Sequence, residues 1–289
     1  MILFMAFRKG ATSTAITTCT CYLPLYIFCG RHLLASKLRC ANVDGAAGSV
    51  EEVERIITQI RARWPKVKIC LRADSGFARE ALMRWCEDNG VDYVFGLAGN
   101  TRLHAEIATE LAAAAKTAKA TGKPARRFRD FRYQTLDSWS TERRVIAKAE
   151  WSTGEANPRF IVTSLPMSRG DARTLYEDVY CARGEMENRI KECQTYMFAD
   201  RTSAATMRAN QLRLWFASMA YVLLCALRRI GLAGTALARA TCATIRSRSS
   251  RSVRKCAGAF GESRLRWGPL THFRTYLPWP MVARGRLRP

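Results

Sequence analysis

From Ser49 to Ala118 the chain alternates two hydrophobic periods, and this alternation restricts the fold more than any other feature. Ser49 followed by Glu52 has the form of a capping box, and Val53, Ile56, Ile57 and Ile60 repeat at helical spacing until Pro65 ends the run. Val67–Leu71 is a short strand-like stretch that delivers Asp74-Ser75-Gly76. A helix from about Arg79 to Asn89 closes at Gly90, a residue suited to the left-handed C-cap position. Tyr93–Leu97 is the next strand and Leu103–Ala118 the next helix. Strand, helix, strand, helix at this pitch implies a parallel sheet covered by helices. Upstream, Tyr22–Cys29 and His32–Leu38 flank Gly30-Arg31 and read as an antiparallel pair of strands.

The pattern changes after Gly122-Lys123-Pro124. Arg127–Leu136, Arg143–Glu150 and Arg159–Thr163 read as three strands of an all-β insertion. Helices resume at Ala172–Tyr180, Met186–Glu192, Ala204–Arg229 and Ala236–Ile245. In the long one, Leu212, Trp215, Met219, Val222 and Leu223 share a face that is expected to be core. Beyond Ser247 the sequence mixes Ser-Arg alternation with Gly and Pro and has no apolar period, the composition of a disordered tail.

Charge points to the partner. The 289 residues hold 47 Lys and Arg against 24 Asp and Glu, a net +23, with pI near 10.2. A polyanion is expected, nucleic acid ahead of an anionic membrane surface. The excess is uneven: Arg246–Pro289 carries eleven basic residues and one acidic one. Eleven cysteines occur without a CxxC pair or a histidine at zinc-finger spacing, so they read as reduced thiols in a cytoplasmic protein rather than metal ligands. The longest apolar run, Leu214–Leu227, has fourteen residues, short of the roughly 20 a membrane span requires. The apolar start Ile2–Phe7 precedes the first basic residues, the wrong order for a signal peptide.

Two stretches hold side chains placed for chemistry. Asp74 comes just after a buried-looking strand, where open α/β sheets gather functional groups, although Asp-Ser-Gly is equally a turn that caps the next helix. Tyr180, Arg183 and Glu187 fall at i, i+3 and i+7 along one helical face, with Lys191 a turn further on. Glu187 with Lys191 could also be a solvated i, i+4 pair. In the insertion, Trp139 sits at an apparent β-turn, Asp137-Ser138-Trp139-Ser140, and packing of the small β layer competes with stacking on a flipped base. Arg126, Arg127, Arg129, Arg132, Arg143 and Arg144 form either a phosphate-tracking stripe or solvated strand faces.

Tyr-x-x-Arg-x-x-x-Glu over Tyr180–Glu187, followed by Asn-Arg-Ile-Lys-Glu, resembles the signature of the DDE transposases of bacterial insertion sequences. Leu71–Phe77 resembles the segment around that family's second acid, with support from Tyr22–Tyr26, Asp92–Leu97 and Asn210–Arg229. The resemblance covers about Cys21–Ile245. It implies a ribonuclease-H-like mixed sheet with flanking helices and an all-β insertion. It further implies three carboxylates holding two Mg²⁺ or Mn²⁺ ions for in-line cleavage and transfer of DNA strands. Asp74 would be the second metal-binding acid and Glu187 the third. Tyr180, Arg183, Lys191 and Trp139 would contact DNA. The implied partners are double-stranded DNA, meaning element terminal inverted repeats and target, and further copies of the chain on that DNA. The implied location is the nucleoid of a bacterial cytoplasm, with no membrane partner.

Two positions depart from the pattern. Gln194 stands where the family often has Lys, and no acid precedes Asp44 although the first catalytic Asp belongs on a strand before Tyr22. Read one base out of register, Met1–Thr18 can be back-translated to Asp-Asp-Pro-Leu-His-Gly-Phe-Pro-Glu-Gly, which resembles the family's first-acid segment. Displaced in the same way, Ser247–Trp267 becomes an amphipathic basic helix. The resulting organisation is a non-native segment over 1–20, the catalytic α/β domain beginning over 21–122, a β-strand insertion over 123–166, the helical remainder over 167–245 and a disordered basic tail over 246–289. The expectation is a decayed transposase without its first strand and first acid. The alternative is a DNA-binding remnant that does not cut.

Overall fold

The computed structural model describes residues 1–7, 22–152 and 154–248. Its core is one sheet of nine strands. The strands are β1 (Ile2–Phe7), β2 (Leu25–Cys29), β3 (His32–Lys37), β4 (Cys70–Ala73), β5 (Asp92–Leu97), β6 (Ala125–Tyr133), β7 (Arg143–Ser152), β8 (Glu155–Ala156) and β9 (Arg159–Thr163). They lie in the order β3-β2-β1-β4-β5-β9-β7-β6, with β8 paired to β7. β1, β4 and β5 run parallel, while β2 is antiparallel to β1 and β9 is antiparallel to β5. Helices α1 (Ser49–Arg63) and α2 (Glu80–Asp88) make the crossovers that parallel pairing requires.

The alternation of each strand divides the side chains between two cores. Leu3, Met5, Leu71, Ala73, Tyr93, Phe95, Val145 and Val162 face one side, where Val53, Ile56 and Ile57 of α1 and Leu82, Met83 and Cys86 of α2 cover them. α3 (Thr101–Glu106) and α4 (Ala108–Thr121) continue this layer through Leu103 and Leu111. Val94, Ile146 and Ile161 face the other side, against Leu175, Tyr176 and Tyr180. Those three belong to a helical stretch that begins at α5 (Ala172–Thr174) and widens into a π-helical turn over Leu175–Tyr180. α6 (Gly184–Lys191) and α7 (Met207–Ala226) complete this layer over Tyr26 and Phe28.

Several expectations change. Ile2–Phe7 is not outside the domain: it is an interior strand of the sheet, paired on both sides. Its six residues are all apolar, so no alternation marks it as a strand. Residues 8–20 of the supposed foreign segment lie outside the described residues. The capping box does not form, because Gly48 occupies the N-cap at φ 69° and Ser49 is buried without a capping bond. Glu52 pairs instead with Lys37 and Arg55. The strands of 123–166 make no separate layer. Through β9 they extend the same sheet beyond β5.

The largest correction concerns α7. The face expected to be core, Leu212, Trp215, Met219, Val222 and Leu223, is exposed. The buried face is Asn210, Leu214, Ala217, Ser218 and Tyr221. A helix apolar on most of its circumference does not announce which side is covered. With the turn after it, Met207–Gly231 is long and apolar enough by length and composition to cross a membrane, contrary to the fourteen-residue estimate. In this fold it is tied to β3 instead: Gln211 and Trp215 donate to the Ser36 carbonyl, and the Ser218 hydroxyl donates to that of Ser36. The helix expected over 236–245 falls at 242–248. The tail from 249 lies outside the described residues. None of the eight described cysteines is in a disulfide.

Candidate active site

Asp74 stands at the carboxyl end of β4, at the point where the chain leaves the sheet. Its side chain accepts from the Gly76 amide at 2.8 Å and caps the 3₁₀ turn Ser75–Phe77. The turn reading of this residue is therefore present in the structure, and it fixes the carboxyl group at the strand end. The two neighbouring strands define what lies beside it. β1 pairs with β4 in parallel, Phe4 opposite Arg72 and Met5 opposite Ala73. The pairing ends there; the same register continued by one residue would set Ala6 beside Asp74. Ala6 packs with the helical layer beyond that face, the side on which Arg72 also meets the helices. No residue of β1 carries a carboxylate.

On the other flank, β5 presents Gly96. A Cβ there would fall 2.6 Å from the Tyr180 hydroxyl and 2.8 Å from the Ser75 amide nitrogen. Glycine is required at this point because the Tyr180 hydroxyl and the turn after Asp74 occupy the side-chain space. Tyr180 is buried and its ring lies 5.6 Å from that of Tyr176, itself 5.7 Å from Phe128. Arg72, also buried, donates to the Val179 carbonyl. Together these contacts attach the π-helical turn to the end of β4.

The remaining signature residues are placed differently. Arg183 ends a 3₁₀ turn at Cys181–Arg183, and its side chain is outside the described set. α6 turns Met186 and Ile190 into the core, leaving Glu187 and Lys191 exposed on its outer side. Gln194 is buried beside Tyr26 rather than held out toward solvent. Among the described residues no group of three His, Cys, Asp or Glu side chains is placed to hold a metal ion.

Trp139 is buried, contrary to a base-stacking role. Its ring meets Tyr133 edge-on at 5.8 Å, and the Arg143 guanidinium lies 5.5 Å above it. Nor do the six arginines form one phosphate-facing stripe. Arg143 is buried between Glu80 at 2.6 Å and Glu87 at 2.7 Å, and Arg144 is buried against Asp130. Arg126 pairs with Glu150 and Glu177, Arg129 with Glu106 and Glu110, and Arg132 with Glu142. Burial alone would lower the Arg143 pKa, but hydrogen bonds to Glu87 and Glu80 raise it overall. The same bonds outweigh burial at Glu80 and Glu87 and hold both carboxyls below the usual range. Sequence reasoning missed this cluster, since nothing local marks an arginine as buried.

A model of the family described as transposase DDE domain, group 1, matches residues 8–250. The chain belongs to this family. The match takes in 8–20 and ends five residues into the basic tail. Transposases with a DDE domain generally use divalent metal ions. Among solved structures, the chain is similar to the piggyBac transposase in a synaptic complex with hairpin DNA, at 10% identity and a TM-score of 0.42. That alignment covers 98% of this chain and 58% of the other, so the chain spans little more than half of that protein's length. The comparison with curated proteins gives no match. The described residues do not make up a two-ion site: β1 carries no carboxylate that could join Asp74, and no three ligating side chains converge among them.

Proposed function

We propose that this chain is the catalytic domain of a DDE transposase with an incomplete acid set, which holds DNA without cutting it. The observation that supports this reading is the register of β1 on β4, Met5 opposite Ala73, which continued by one residue would set Ala6 rather than an acid beside Asp74. Two-ion catalysis of strand cleavage depends on both ions being held at once, so an alanine at that position removes most of the activity. Asp74 and Glu187 are the acids that remain, and Mg²⁺ or Mn²⁺ is the chemistry such acids would hold.

Tyr180 serves this site from inside. Buried against Gly96 and the Ser75 amide, it is a positioning residue for the Asp74 turn rather than a contact to a DNA phosphate. Lys191 and Arg183 are the cations of the signature that we assign to DNA. The net charge of +23 supports a polyanion as partner. The organisation proposed is a catalytic α/β domain in which 123–166 extends the sheet, and a decayed copy of an insertion-sequence enzyme is the origin that the missing acid favours.

Binding and cleavage measured on the same duplex test the proposal. The duplex is taken from the inverted repeats that flank the gene. Retention of that duplex in a gel-shift assay, weakening steeply with salt, is expected together with intact strands. Absence of binding at low salt would contradict it. The gene's nucleotide sequence tests the origin: if the displaced frame does not encode the family's first-acid segment, the frameshift reading fails.

A further inference from the structure

Arg126, Arg129, Arg132, Arg143 and Arg144 of β6 and β7 are taken up by carboxylates. Arg201 and Arg246 are held by a ring instead. The Arg201 guanidinium carbon lies 3.9 Å from the centroid of Phe198, and that of Arg246 lies 4.3 Å from it. At such distances one face of a phenyl ring seats a single guanidinium, so the two cover opposite faces. Arg246 is tethered further, its Nη1 donating to the Tyr196 carbonyl at 2.6 Å. Among the described residues no carboxylate pairs with either cation, the adjacent Asp200 included.

The backbone under the ring is itself unusual. Phe198 is the one described residue other than glycine with a positive φ, at 59°. It follows the π-helical turn Glu192–Tyr196, and the Ala199 amide closes that turn by donating to the Cys193 carbonyl. Glycine is the usual residue at a left-handed helix end, and a Cβ there costs free energy. Backbone strain of this kind gathers where a side chain has to be placed for use. Core packing does not account for it, since Phe198 is 41% exposed.

We infer that Phe198, Arg201 and Arg246 form a clamp for the phosphodiester backbone of DNA. The inference rests on the DNA-holding reading above and adds to it a contact outside the signature residues. Both ring faces are occupied, which excludes a base stacked on Phe198 and leaves recognition of an anion. Two guanidiniums ordered on one ring offer forked donors to the same phosphate from two sides. The edge of the ring is the positive rim of its quadrupole, so an anion that enters between the two cations is not repelled by it. Ordering the cations before the phosphate arrives removes part of the side-chain entropy cost of binding. A contact of this kind positions the duplex and reads no sequence.

The test is duplex binding by fluorescence anisotropy with the full chain, from about 50 to 200 mM salt, on two duplexes of unrelated sequence. The double variant Arg201→Gln, Arg246→Gln is expected to lose affinity about tenfold or more at about 0.1 M salt, equally on both duplexes, with the slope of log K against log salt shallower by about 1.8. Its melting temperature is expected to match the parent's, because both side chains are exposed. Phe198→Gly keeps both charges and is expected to keep the salt slope, yet to lose affinity about threefold. Its melting temperature is expected to be no lower than the parent's, because glycine accepts the left-handed backbone. A purely structural Phe198 would not separate stability from affinity in this way. Parent affinity and slope in the double variant would overturn the inference, as would a loss confined to one of the two sequences or a Phe198→Gly chain that binds as the parent does. A parent chain that binds neither duplex would overturn the DNA-holding reading itself, and the clamp with it.

Discussion

At the scale of single residues, the structure turns on a few buried polar side chains that the sequence does not advertise. Arg143 holds Glu80 and Glu87 while packing on Trp139. Arg143→Leu leaves two carboxylates facing each other without a cation and is expected to cost about 3–5 kcal/mol in chemical denaturation. The pH dependence comes from the depressed carboxyls. Their folded pKa values lie below the unfolded value of about 4.3, so their contribution is complete above that value and is lost as pH falls through the folded values. Stability measured by denaturant titration should decline below about pH 4.3, and Glu87→Gln should flatten that decline while lowering stability at neutral pH. Gly96→Ala places a methyl group 2.6 Å from the Tyr180 hydroxyl and 2.8 Å from backbone nitrogen, with an expected cost of about 1–3 kcal/mol. Tyr180→Phe in the same chain should recover only part of that loss, because the Ser75 contact is backbone and cannot swing away.

At the scale of elements, what was legible depended on how each element declares its inward face. The helix of Val53, Ile56 and Ile57 lies where its period puts it, since one-sided burial leaves a period to read, and the strands at Tyr93–Leu97 and Arg159–Thr163, buried on both faces, lie where short apolar runs bounded by turns put them. β1 did not, because Ile2–Phe7 is apolar at every position and shows no alternation. α7 did not either, because its exposed face is as apolar as its buried side. For Trp139 the packing alternative holds: Asp137, Ser138 and Ser140 belong to the turn while the ring reaches the core. Of the candidate site, Asp74 at a strand end was legible from strand-then-turn chemistry. The burial of Tyr180 was not, as it depends on Gly96, distant in sequence. Because β1 is laid down as a strand, its register makes a sharp prediction. Ala6→Asp puts a carboxylate beside Asp74, and calorimetric titration should show Mn²⁺ binding about tenfold tighter or better than in the parent chain. Equal affinities would mean that the β1 register does not define the site.

At the scale of the whole molecule, a sheet of nine strands separates two helical layers, and the end of β4 opens between them. The family shows what such a domain is for. We propose that the absence of an acid on β1, the strand next to Asp74, leaves this chain unable to perform that role in full. On this proposal DNA binding outlasts the loss of cleavage, because affinity for a polyanion depends on many cations and not on three carboxylates. Strand cleavage depends on the carboxylates alone. The most direct test is therefore a nicking assay of the purified chain on duplex from the flanking inverted repeats, with Mg²⁺ or Mn²⁺ in excess. Intact strands after prolonged incubation, with the duplex still bound, are the predicted result. Metal-dependent nicks that disappear on Asp74→Asn would contradict the account.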